Sequence, residues 1–204
     1  MEGGAGLMPV VSKTYCSAFL TTLVVRRRPH VVNGGGFVVT DGNQKVVFVV
    51  DGCGRIGAKG VLLVRDGDGA SILRIRKKEG VIQALSCDHR WNGYLLDYDE
   101  GKMDPIFSLR DTNPCFPFGK PTRISIHPKS KTKPWDYELL GSFAERNCAI
   151  STRNGAVAAQ VIGLREITGS KDLYSVVVQP GYDQAFVIGV IAVLDNINGE
   201  STSC

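Results

Sequence analysis

The chain has 204 residues, 43% of them apolar and 22% charged, which excludes global disorder and a small scaffold dependent on disulfide or metal staples. Its 24 Lys and Arg against 20 Asp and Glu leave a net charge of +4, an excess that permits attraction to anionic membranes or nucleic acid but is milder than a dedicated nucleic-acid binder carries. Folding as one domain should shrink roughly 32,000 Å² of unfolded surface to about 9,000 Å², enough for a self-sufficient core.

Residues 1–16 include Gly3, Gly4, Gly6 and Pro9 without periodicity and are expected to be a flexible N-terminal tail. They offer neither a basic opening nor a long apolar run, so no secretory leader is expected. Six cysteines stand at 16, 53, 87, 115, 148 and 204 with no CxxC pair, which argues against a zinc knuckle or a thioredoxin-type site. Free thiols in a reducing compartment follow, hence a cytoplasmic location, with a secreted three-disulfide protein as the alternative.

From there, turn signals recur: Asp41-Gly42-Asn43, Asp51-Gly52, Asp66-Gly67-Asp68-Gly69, Glu79-Gly80, Asn92-Gly93, Glu100-Gly101 and Asn154-Gly155. Asn-Gly and Asp-Gly tolerate the positive φ angles of tight hairpins. Short β-branched and apolar runs lie between them: Phe37–Thr40, Lys45–Val50, Val61–Val64, Ser71–Arg76, Val81–Leu85 and Tyr94–Tyr98, then Arg123–Ile126, Trp135–Phe143, Cys148–Thr152, Ala156–Ile162 and Leu173–Val178. This rhythm predicts an antiparallel meander, closed as a barrel or stacked as a sandwich. Five prolines between Thr112 and Pro134 interrupt it, as a linker between halves or a long loop around one strand.

The segment from Ala185 to Leu194 has no polar residue over ten positions, too few for the roughly 20 that span a bilayer. A helix apolar on every side must be buried on every side. In a protein otherwise made of strands, the container is the inside of a closed barrel. Phe186, Val187, Ile188, Val190, Ile191, Val193 and Leu194 are therefore expected as a central post. Burying them contributes on the order of 10–20 kcal/mol as an upper estimate.

Motifs for chemistry are weak. Gly52-Cys-Gly54-Arg-Ile-Gly57 fits a dinucleotide fingerprint, but a strand rather than a helix follows, so it reads as a glycine-rich turn. Asp66-Gly-Asp68-Gly69 opens like a calcium loop, but Ala70 and Lys77 stand where ligands belong. Cys87-Asp88-His89 would alternate across a strand, which does not build a nucleophile with its base. No catalytic residue, metal or cofactor is assigned, and a non-enzymatic chain is expected. The basic residues are more suggestive. Arg74 and Arg76 should share one face of a strand with Leu73 and Ile75 on the other. Lys77 and Lys78 extend the charge into a turn, Lys129, Lys131 and Lys133 follow in the proline-rich loop, and Arg26-Arg27-Arg28 ends an early strand. Together they are candidates for an anionic-ligand patch, set against ordinary solvated strand faces.

Phe19–Val25, Gly36–Asn43, Val46–Val50, Asp88–Trp91, Gly141–Cys148 and Pro180–Val187 running into Val193–Ile197 together resemble the plant LURP-one-related proteins over roughly residues 17–198. The resemblance implies the tubby-like fold, a closed antiparallel 12-stranded barrel around a hydrophobic C-terminal helix, and an association with plant defence and stress responses. Residues 199–204 would then be a C-terminal tail. Distant relatives implied by that fold are tubby proteins, which bind phosphoinositides and are proposed as membrane-tethered transcription regulators, and phospholipid scramblases. The scramblases' membrane-inserting C-terminal segment is not matched here, since Leu194 is followed by Asp195 and Asn196. The expected role is a binding or signalling module for an anionic lipid headgroup, peripheral at the plasma membrane, or for a protein partner. The alternatives are a nuclear, nucleic-acid-associated regulator and an enzyme with a site on the barrel rim.

Overall fold

The computed structural model describes residues 6–29, 35–52, 60–78, 88–96, 104–112, 121–128, 134–164 and 172–198. Twelve strands form one closed meander: β1 (Thr21–Arg27), β2 (Gly36–Thr40), β3 (Val46–Asp51), β4 (Val61–Asp66), β5 (Ser71–Lys77), β6 (Asp88–Leu95), β7 (Phe107–Thr112), β8 (Arg123–Ile126), β9 (Tyr137–Ser142), β10 (Asn147–Thr152), β11 (Val157–Gly163) and β12 (Leu173–Val178). Each strand pairs with its sequence neighbours, and β1 pairs antiparallel with β12, which closes the ring and leaves no sheet edge.

Alternation sets the inside. Leu23 and Val25 on β1, Leu73 and Ile75 on β5, Leu109 on β7, Ile124 on β8 and Val176 on β12 are fully buried, while their chain neighbours, apart from the buried Ser125, are at least partly exposed. In two of the hairpin turns the Asp side chain closes the loop, while the positive φ falls on Gln44 and Gly69 rather than on the Asp-Gly pairs Asp41-Gly42 and Asp66-Gly67. Asp41 Oδ1 accepts from the Asn43 and Lys45 amides, and Asp66 Oδ1 accepts from the Asp68 and Ala70 amides. The Asp66-Gly67-Asp68-Gly69 stretch is thus a turn joining β4 to β5.

The helix α1 (Gln184–Ile197) runs through the lumen, and every residue from Ala185 to Asp195 is buried. Phe186 packs against Phe107 and Tyr137 with ring centroids 5.3 Å apart in both pairs. Asp195 in the last turn carries the wrong sign for a helix C-terminus. Arg27, which points inward from the end of β1, approaches it at 3.8 Å and also meets Asp172 at 3.0 Å.

Three expectations are corrected. Residues 8–16, expected as part of a loose tail, are instead a strap across the barrel mouth. Met8 N–H donates to the Gly181 carbonyl, a 3-10 turn covers Lys13–Tyr15, and Cys16 bridges to Asp183. The Asp183 carboxylate supplies the reason: its Oδ2 accepts from the Val10, Val11 and Ser12 amides at 3.0, 2.7 and 3.0 Å, while Oδ1 caps α1 at the Phe186 amide. Second, Asn92-Gly93 is not a turn. It lies in mid-β6, where Gly93 admits a neighbouring ring, so the strand expected at Tyr94–Tyr98 starts earlier, at Asp88. Third, β7 was not among the expected runs, because its Ser108, Arg110 and Asp111 hide the apolar alternation of Phe107 and Leu109. The run Val81–Leu85, Gly54–Gly57 and the tail 199–204 lie outside the described residues.

Candidate functional site

The outer face of β5–β8 is built from residues that sequence distance separates. On β5, Leu73 and Ile75 fill the lumen, so Arg74 and Arg76 point outward. Arg76 lies opposite Asn92 on β6, which lies opposite Ser108 on β7, which lies opposite Ser125 on β8. One step along the strands the row is basic. The Lys78 amide donates to the Arg90 carbonyl at 2.8 Å, Arg90 lies opposite Arg110, and Arg110 lies opposite Arg123. Each alternates with a buried residue, Trp91, Leu109 or Ile124, so each projects from the barrel wall. Strands stand about 4.8 Å apart, so four cations span roughly 15 Å. Glu138 on β9 ends the row with an ion pair to Arg123 at 3.2 Å, and the Arg123 guanidinium also lies 5.1 Å from the Trp135 ring centroid.

Like charges directly opposite each other in a sheet are unfavourable.

The basic residues singled out in the sequence divide. Arg74, Arg76 and Lys78 fall on this face. Lys77 is exposed but sits at the inward-alternating position opposite Trp91, so it belongs to the barrel rim. Lys129, Lys131 and Lys133 lie outside the described residues. The triplet Arg26-Arg27-Arg28 is not a patch. Arg26 faces solvent on the opposite side of the barrel, Arg27 turns inward, and Arg28 reaches the Val50 carbonyl at 2.7 Å and the buried Asp51 at 3.1 Å. Arg65 holds the other Asp51 oxygen at 2.9 Å. Burial alone would raise the Asp51 pKa, but the hydrogen bonds and positive charges of Arg65 and Arg28 outweigh it and hold the carboxyl below the ordinary carboxylate value. Sequence reasoning missed Arg90, Arg110 and Arg123. Each follows an alternating pattern, but only the register brings them abreast.

Among the described residues, no three His, Cys, Asp or Glu side chains gather where they could hold a metal ion. His127 Nε2 and Ser108 Oγ are 3.1 Å apart. Neither residue lines either of two cavities that described residues form at the strap end of the barrel, of about 490 and 320 Å³. The larger is walled by Met8 and Pro9 of the strap, by Trp135 and Tyr137, and by the β10–β11 turn. Cys148 is a free thiol inside the barrel, and burial pushes its pKa up to about 12 against a smaller lowering by Arg146. A buried thiol kept protonated in this way is no nucleophile.

Comparison with known proteins decides the family. The sequence profile described as LURP-one-related matches residues 21–195. The chain belongs to the LURP-one-related family. Protein LURP-one-related 6 of Arabidopsis thaliana is 53% identical over 196 residues, spanning 96% of this chain and 98% of that protein. Protein LURP-one-related 16 of the same plant is 47% identical, spanning 96% and 95%. An X-ray structure of an Arabidopsis thaliana protein superposes with a TM-score of 0.66 at 23% identity, covering 96% of this chain and 99% of that one, and so shares the fold. The lumen of this LURP-one-related barrel is occupied by its own helix.

Proposed function

We propose that this LURP-one-related protein is a non-catalytic binding module that lays the outer face of β5–β8 on an anionic lipid surface, the headgroup layer of a membrane carrying phosphoinositides or other acidic lipids. The observation that carries the reading is the row Lys78, Arg90, Arg110 and Arg123, set abreast by strand register with Arg74 and Arg76 beside it. The wall of a closed barrel is convex. An extended row on a convex wall suits a sheet of charge better than one enclosed headgroup. Each cation near such a surface contributes about 1 kcal/mol, and the attraction decays over a Debye length of about 8–10 Å. The setting that accompanies this reading is plant defence or stress response, with the protein in the cytoplasm and recruited peripherally to the plasma membrane.

The test is co-sedimentation with phosphoinositide-containing vesicles at two salt concentrations. Replacing Arg76, Arg90 and Arg110 by Gln should weaken binding by about 3 kcal/mol, on the order of a hundredfold, and flatten the salt dependence. Arg26→Gln, on the far side of the barrel, should change little. A parent protein that stays in the supernatant at low salt, or a triple variant that pellets like the parent, overturns the reading. Row-dependent binding to duplex DNA without binding to vesicles would instead establish the nucleic-acid alternative.

A further inference from the structure

The larger cavity at the strap end has none of the basic row in its lining. Its floor is aromatic. Tyr137 and Tyr182 are both buried, with ring centroids 6.4 Å apart and planes at 71°, and Phe186 of the central helix backs Tyr137 at 5.3 Å. Trp135 stands half-buried at one side, braced from outside by the Arg123 guanidinium. The strap forms the opposite wall through Met8, a flexible thioether able to fit an apolar ligand. Met8 is pinned there by its hydrogen bond to Gly181 and its bridge to Tyr182.

The volume, about 490 Å³, lies within the roughly 300–1,000 Å³ of small-molecule sites. A cavity of about 150 Å³ holds one benzene, so this one has room for two or three rings. The charges are placed unequally. One oxygen of the Asp136 carboxylate accepts from the Ile126 amide at 2.8 Å, and the Asp136 carbonyl accepts from the Arg153 amide at 3.1 Å. The Arg153 side chain is exposed at the rim on the β10–β11 turn, as the one cation among the described residues of the lining. A guanidinium there can grip a carboxylate by two parallel N–H donations.

We propose that this cavity binds a small molecule with a flat, apolar, two- or three-ring body and a single carboxylate, the rings lying against Trp135, Tyr137 and Tyr182 and the carboxylate meeting Arg153. The strap completes the site, so occupancy also holds the strap in place.

The probe is 2-naphthoate, titrated by calorimetry and ligand-observed NMR, with 2-naphthalenemethanol and 2-naphthylmethylammonium as the neutral and cationic comparators. The parent should bind naphthoate at least tenfold more tightly than the alcohol and leave the cation unbound. Arg153→Gln should bring naphthoate down to the level of the alcohol. Ala156→Trp, at an exposed position of the lining, should fill the space and abolish binding of both. Circular dichroism melting identifies folded variants, and both substitutions lie on the surface of a turn. No naphthoate binding to the parent at millimolar concentration, an alcohol that binds as well as the acid, or binding indifferent to both variants each overturns the proposal. Loss of naphthoate binding in the Arg76, Arg90 and Arg110 variant with retention in Ala156→Trp also overturns it, since the anion would then sit on the basic row. Vesicle binding should be unchanged in both cavity variants.

Discussion

At Gly93 the absence of a side chain is what the fold uses. A Cβ built there would lie 2.2 Å from the Phe107 ring, because that ring crosses directly over the glycine from the adjacent strand. Gly93→Ala should therefore push Phe107 away from Phe186 and cost about 1–3 kcal/mol, read as a lower denaturant midpoint with unchanged slope. Adding Phe107→Leu should recover part of the loss, and a Gly93→Ala protein as stable as the parent would contradict the packing. Arg146 is a second residue whose role is invisible locally. It is buried in left-handed backbone with φ of 53°, and its guanidinium lies 4.5 Å from the ring centroids of both Phe143 and Tyr174. In the sequence it is one more charge near a turn. Tyr174 arrives from 28 positions away, so the cation–π sandwich cannot be read along the chain.

Among the elements, the helix and the strap contrast. The helix announces itself, since ten apolar residues without a polar face leave burial on all sides as the one stable outcome. The strap does not, because its attachment is made by main-chain amides, which every residue has. Its anchor is Asp183, which serves two sets of donors at once. Asp183→Asn keeps the shape but must turn an NH2 group toward one set. The expected loss is about 2–4 kcal/mol, with charge-assisted bonds replaced by unsatisfied or opposed donors. Trypsin should then cut after Lys13 under native conditions far faster than in the parent, where that residue lies within the strap's 3-10 turn. Equal cutting rates would show that the strap is held by something else.

For the whole molecule, the barrel separates its surfaces. Arg74, Arg76, Arg90, Arg110 and Arg123 share the outside of β5–β8, whereas the outward positions of β11, β12 and β1 are mostly uncharged, among them Gln160, Ile162, Ser175, Val177 and Val24. The interior is set for neutral pH. Burial raises the Tyr137 hydroxyl from 10.0 to about 12, helped by Tyr182 and nearby carboxylates, and raises the Cys148 thiol from 9.0 to about 12. These are acids whose folded values exceed their unfolded ones. Between the two, the unfolded chain binds fewer protons, so stability is fully present below about pH 9 and falls as the pH rises toward 12. The melting temperature should drop steeply over that window, by several kcal/mol in equivalent stability. Cys148→Ala should remove the part of the slope that begins near pH 9. A melting temperature flat to pH 11 would contradict the burial of both groups.

Periodicity and apolar run length, which are local quantities, carried the β meander, the outward placement of Arg74 and Arg76, and the buried helix. Strands β8 and β12 stand where their runs predict, at Arg123–Ile126 and Leu173–Val178. What the chain decides only on folding is which distant residues become neighbours. The pairing of β1 with β12 closes the barrel across more than 140 positions, and the registers of β6, β7 and β8 bring Arg90, Arg110 and Arg123 into one row. A register shift of one residue would turn each of those arginines into the lumen, and it is the buried Trp91, Leu109 and Ile124 beside them that forbid it. The basic face is thus positioned by the packing of the core behind it, a long-range constraint that no local pattern of charges expresses.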